Sequence, residues 1–216
     1  MRAIRILLVL AVVLGVLFVA ADRIALWFAE SQAADKAQQS QGFTSKPDVS
    51  IKGFPFLTQV AAKKLDDVHI TAKGIEAGTG GQTLRIDRFS ADLRGVRLSG
   101  NFSSAVADTA DGTVLITYAD LTKAVPSGIT VGYAGNGKVK LSALGFTTTV
   151  EATLANGKTV RLGGLSGLPA ELQALVGSGL SWDLSGLPTG IQLKSATATA
   201  DGIQVVASGT HVVLAN

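Results

Sequence analysis

Sixteen uncharged, mostly apolar residues, Ile6 to Ala21, constrain this chain more than any other feature. They are fronted by Arg2 and Arg5 and followed, with no intervening Gly or Pro, by a second apolar-faced segment, Ile24 to Ala37. As a helix the first stretch rises about 24 Å, against a bilayer core of about 30 Å. Adding Ala3 and Ile4, with Arg5 reaching back to the headgroups along its aliphatic stem, closes most of the gap. Basic residues before the run and none clustered just after it orient the N-terminus to the cytoplasm and the body outward.

Two readings of residues 1–21 stay open at this point. One is a retained transmembrane anchor. The other is a secretory signal cleaved near Val19-Ala20-Ala21, where small residues sit at suitable positions. Both place the body, residues 22–216, outside the cytoplasm. Within it, residues 22–41 read as an amphipathic helix, because Ile24, Trp27, Phe28, Ser31, Ala34 and Ala37 recur at three- and four-residue intervals with charged residues between them. Gly42 is its expected stop. Trp27 and Phe28 suit either a membrane interface or a docking face for the folded body.

The remaining chain suffices for one domain with its own core. Cysteine is absent, which excludes disulfides, thiolate metal sites and a lipidated cysteine anchor. Lys and Arg number 19 against 16 Asp and Glu, and the basic residues are scattered apart from Arg85, Arg88, Arg94 and Arg97. That balance gives little support to nucleic-acid binding, which needs a concentrated basic surface, and no nucleic-acid partner is expected.

Past Gly53 the pattern alternates. Val68, Ile70 and Ala72, then Leu84 and Ile86, then Phe89, Ala91 and Leu93, and later Val139, Leu141 and Ala143 place apolar residues two apart, the period of a strand with one buried face. Asn136-Gly137 and Asn156-Gly157 predict hairpins over Ile129 to Ala143 and Phe146 to Leu162. Asp111-Gly112 and Asp201-Gly202 read as further turns, and the alternation slips at Asp87-Arg88, where a bulge is expected. Pro126-Ser127-Gly128-Ile129 echoes Pro188-Thr189-Gly190-Ile191, which predicts similar local geometry. Short helices are expected over Phe56 to Leu65, Asp120 to Val125 with Asp120 as cap, and Pro169 to Val176.

Chemistry-bearing motifs are missing. His69 and His211 have no spacing that fits zinc or a nucleophile-histidine pair, and the carboxylates Asp66, Asp67, Asp108, Asp111 and Asp183 are dispersed. Gly78-Thr79-Gly80-Gly81 lacks the lysine of a phosphate loop. No enzyme, cofactor or metal is therefore expected. The candidate functional residues are apolar: Ile24, Trp27 and Phe28; the block Gly53-Phe54-Pro55-Phe56-Leu57, where proline fixes a bend between aromatics that either line an apolar space or form a core corner; and Leu165, Leu168 and Leu187 in glycine- and proline-rich stretches that are either rims for an acyl chain or ordinary loops packed over the end of a sheet. Trp182 reads as core.

The pattern Val49-x-Ile51-x-Gly53-Phe54-Pro55-Phe56-Leu57-Thr58-Gln59, with the following strand Val68 to Ala72, resembles the signature of the actinobacterial LmeA-like phospholipid-binding family. Leu187-Pro188-x-Gly190-Ile191, Asp201-Gly202-Ile203 and Gly209 to Leu214 are similar to its C-terminal half. The resemblance implies a non-enzymatic envelope protein that binds phospholipid, including phosphatidylinositol-type lipid, and supports lipoglycan assembly. It also implies a tubular lipid-binding fold, mostly β with a long N-terminal helix, in which a highly curved antiparallel sheet wraps around the helix and leaves an apolar groove. In such a fold Ile24, Phe28 and the alanines of the helix would be buried.

On this reading Ile24, Trp27, Phe28, Phe54, Phe56, Leu57, Leu165, Leu168 and Leu187 contact lipid, and Arg85, Arg88, Arg94 and Arg97 are candidate headgroup contacts. The expected partners are phospholipid and the membrane, on the outer face of the cytoplasmic membrane. The alternative is a scaffold whose sheet edge or apolar loops bind a membrane-associated glycosyltransferase.

Overall fold

The structure, a computed structural model, describes residues 2–41, 45–77, 84–100, 104–163, 180–183 and 187–215. The apolar run and the amphipathic segment form one unbroken helix, α1 (Arg2–Gln41), in which no Pro interrupts the ladder. Gly42 and the expected helix Pro169 to Val176 lie outside the described residues. The body follows as β1 (Asp48–Lys52), α2 (Phe56–Ala61), β2 (Lys64–Ala77), β3 (Leu84–Ser99), β4 (Ser104–Thr117) and α3 (Tyr118–Ala124). It continues with β5 (Ile129–Gly135), β6 (Lys138–Ala143), β7 (Phe146–Ala155), β8 (Thr159–Gly163), β9 (Leu180–Asp183), β10 (Ile191–Ala198) and β11 (Gly202–Ala215).

These strands make two open antiparallel sheets. The first has the order β1-β2-β3-β4-β11-β10 and the second β5-β6-β7-β8-β9. The expected single sheet, highly curved and wrapped around the N-terminal helix, is therefore corrected. Neither sheet closes, and α1 lies outside both, along β1 and α2. The physical reason is visible in the helix itself. The apolar side chains that face the body are small apart from one leucine, with Ala34 buried and Ala25, Leu26 and Ala29 partly so, while Ile24, Trp27 and Phe28 turn away. A helix enclosed by strands would need bulk on all sides to fill the space around it.

The core has two parts. Leu84, Ile86, Ile116, Leu121, Val150, Leu162, Ile203 and their neighbours fill the space between one end of the first sheet, α3 and the second sheet. Val49, Ile51, Phe56, Leu65, Val68, Leu93 and Val96 pack the other end of the first sheet with α1 and α2. Trp182 belongs to the first cluster, as expected of a core residue.

Turn chemistry explains most connections. Asn136 and Gly137 (φ 51° and 72°) and Asn156 and Gly157 (φ 53° and 62°) close the two predicted hairpins with both central residues left-handed. Leu144-Gly145 does the same between β6 and β7, with Leu144 at φ 52°, a region that disfavours leucine. The echoed segments do share a geometry: the N–H of Ile129 donates to the carbonyl of Pro126 at 3.2 Å, and that of Ile191 to Pro188 at 3.1 Å. Gly128 and Gly190 supply the positive φ that such a turn requires at its third position.

Three local expectations change. Asp111-Gly112 is no turn but lies in the middle of β4, paired with both neighbours. The slip at Asp87-Arg88 is not a bulge, since Lys73 pairs Arg88 and Ile75 pairs Ile86 in one register, with Gly74 at φ 65° opposite the slip. The cap of α3 is Thr117, whose hydroxyl accepts the Asp120 N–H at 3.2 Å, so Asp120 sits inside the first turn.

Candidate functional site

The block Gly53 to Gln59 turns the end of β1 into α2, and each residue in it has a different task. Gly53 stands at φ 99°, and a Cβ there would come within 2.6 Å of Gln59 Nε2. Gln59 is buried because its amide closes the corner, donating to the Lys52 carbonyl at 3.2 Å and accepting the Asp66 N–H at 2.9 Å. Phe56 goes inward, 4% exposed, into the cluster under α1. Phe54 goes outward, 61% exposed. Proline between them makes the bend that separates two otherwise similar side chains.

What holds this corner to α1 is Asp22, the first acidic residue after the apolar run. Its side chain is fully buried and accepts the Leu57 N–H at 2.8 Å, satisfying a donor in the first turn of α2. Arg23 pairs with it at 2.7 Å and places its guanidinium over the Phe54 ring, 5.2 Å from the centroid. Farther along, Glu30 accepts the Ile51 N–H at 2.8 Å on the outer side of β1, and Lys46 pairs with Asp35 at 2.6 Å. Burial alone would raise the Asp22 pKa. The Leu57 N–H, the Arg23 guanidinium and the Phe56 N–H outweigh it and hold the carboxyl below its ordinary value.

A pH dependence follows. A carboxyl with a depressed folded-state pKa contributes stability that is complete above the unfolded value, 3.8 here, and is lost as pH falls through the lower folded value. The melting temperature of the Asp22→Asn variant should therefore fall less between pH 4 and pH 2 than that of the parent, by roughly the share owed to one paired carboxylate. Parallel curves would show that Asp22 carries no such linkage.

The structure brings some of the sequence-predicted residues together and separates others. Ile24, Trp27 and Phe28 are exposed on the outer side of α1, with Trp27 71% accessible, so the docking alternative for Trp27 and Phe28 is not what is seen. Their expected burial in a wrapped sheet, for Ile24 and Phe28, is corrected by the same finding. Phe54 joins this group through Arg23. Phe56 is core, Leu57 is half-buried beside Asp22, and Leu187 packs on the first cluster, away from the others. Leu165 and Leu168 lie outside the described residues.

The four arginines are all exposed along β3, but Arg85 and Arg97 are about 40 Å apart at 3.3 Å per residue, so they do not converge. Arg85 lies 3.6 Å from Asp120 and Arg97 pairs with Asp108, while Arg88 and Arg94 make no ion pair among the described residues. His69 is bound to Asp92 at 2.7 Å across the β2–β3 pair. Sequence reasoning missed Asp22 and Glu30. Their one signal was an acidic residue placed on the body-facing side of an otherwise apolar helix.

An apolar helix continuous with a two-sheet antiparallel body, and fastened to it through the buried Asp22 carboxylate and Glu30, defines a membrane-associated β-rich protein with no cluster of metal-ligating side chains among the described residues. The chain matches the LmeA-like phospholipid-binding family over residues 20–208, and it belongs to that family. Neither a curated protein nor a solved structure matches it. Its function is thus the non-enzymatic binding of phospholipid in the cell envelope.

Proposed function

We propose that the protein binds phospholipid while tethered by a retained span, with residues 1–21 as anchor and 22–216 as the lipid-binding body facing outward from the cytoplasmic membrane. One observation carries this: the apolar segment and the body share a single helix, and the residue just past the span, Asp22, is a buried part of the body. The family match begins at Ala20, which supports the same division. Each methylene moved from water into an apolar site contributes about 0.8 kcal/mol, so contact along even part of two acyl chains suffices for binding.

The finer parts of the reading are that the ligand is a phosphatidylinositol-type lipid presented for lipoglycan assembly, and that outward-facing Arg88 and Arg94 meet its phosphate. Purification of the full chain from native membranes tests the proposal. Intact-mass analysis should return a chain that keeps residues 2–21, and extraction should return stoichiometric phospholipid enriched in the inositol class. A soluble mature chain starting at Asp22 would overturn the tether, and a lipid-free protein that takes up none would overturn the carrier role.

The scaffold alternative has a specific observation in its favour. Leu144 stands exposed on the turn between β6 and β7 and Phe146 at the start of β7, two apolar side chains at the surface. Crosslinking from Leu144 to a membrane-bound glycosyltransferase would favour that reading over lipid carriage.

A further inference from the structure

We infer that the folded body has a lipid-facing foot, formed by Phe54 with Ile24, Trp27 and Phe28, that rests in the headgroup layer of a phospholipid bilayer and is held there by Asp22. The inference rests on the reading that α1 spans the membrane.

The height of the foot is set by helix geometry. With Ala21 at the edge of the hydrocarbon, Ile24 lies about 4 Å farther along the axis, inside a headgroup layer about 5–8 Å thick on each side, and Trp27 and Phe28 lie at about 9 to 10 Å, just past its outer edge, with their side chains tilted back toward it because helical Cα–Cβ bonds lean to the N-terminus. Trp27 and Phe28 thus continue the exposed apolar surface of the span beyond its end. Phe54 belongs to a different segment of chain but shares that level, because Arg23 stacks on its ring.

A mobile linker would let the body drift away from the surface. Here the Leu57 N–H is bonded to Asp22 and the Ile51 N–H to Glu30, so the body is fastened directly to the helix that continues the span. Exposed apolar side chains rimmed by a cation suit the layer between phosphates and acyl carbonyls, where aromatic rings and arginine both settle. A water-exposed phenylalanine next to a buried one is otherwise a cost without a return, and continuity with the span supplies the occupant: the bilayer itself.

Because the chain contains no cysteine, a single one can be placed at will. Full-length Trp27→Cys, Phe54→Cys and Leu144→Cys proteins, each carrying a bimane label, would be reconstituted into vesicles of equal parts phosphatidylglycerol and phosphatidylcholine containing headgroup-nitroxide lipid. The labels at Trp27 and Phe54 should be quenched severalfold more than the label at Leu144, which sits on the second sheet. Adding Asp22→Ala should lower quenching at Phe54 severalfold and leave that at Trp27 unchanged.

A Phe54 label quenched no more than Leu144, with Trp27 still quenched, overturns the foot and leaves the span standing. Equal quenching at Trp27 and Leu144 overturns the span as well. Phe54 quenching unmoved by Asp22→Ala overturns the holding role of the carboxylate.

Discussion

Arginine at both Val12 and Val13 should abolish membrane retention of the full chain. Both side chains are exposed near the middle of the apolar part of α1, the one helix among the described residues long and apolar enough to cross a bilayer. Each arginine at the centre of a span costs about 2.5–3.5 kcal/mol on insertion scales, so the pair costs about 5 kcal/mol or more, a factor of thousands in partition. Carbonate-washed membranes should lose the double variant and keep a Gln32→Arg control, whose new charge lies beyond the headgroup layer on an exposed position. Retention of the double variant would mean that the body alone holds the membrane.

Leu121→Ala should lower stability by about 2–5 kcal/mol, the range for removing a buried leucine and leaving a cavity. Leu121 is fully buried in the cluster where α3 joins the two sheets, and the Thr117 cap and the bond between Thr122 Oγ1 and the Val131 N–H at 3.0 Å fix the helix so that neighbours cannot easily collapse into the gap. Denaturant unfolding in mild detergent reads this as a lower midpoint with an unchanged slope. A change below 1 kcal/mol would show that the two sheets are not joined by a shared core at this point.

The strands and local hairpins were legible because their determinants are local. Alternation with a period of two marks Val139, Leu141 and their partners, and Asn-Gly supplies the backbone conformation that two-residue turns need. Sheet partnership was not legible. The pairing of β4 with β11 joins residues nearly a hundred positions apart, and nothing in either strand names the other. The split into two sheets likewise depends on α3 carrying the chain to a second layer, which the strand pattern does not encode.

The candidate site shows the same limit at finer scale. Phe54 and Phe56 are equivalent as letters, and only the turn geometry sends one to solvent and the other to the core. Asp111-Gly112 looks like a turn by composition, yet β3 and β11 flank it and hold it extended. Asp22 is not legible as a fastening, because a carboxylate after an apolar run is usually solvated. Its partner, the Leu57 N–H, is 35 residues away and becomes available only once α2 exists.

Glu30 takes the Ile51 N–H on the side of β1 that no other described strand covers, and α1 lies against β1. A bare flank of this kind is a template on which another molecule's strand can add, the first step of cross-β stacking. The helix therefore also works as a guard rail: with α1 along β1, the bodies of two molecules are kept from zipping onto each other there.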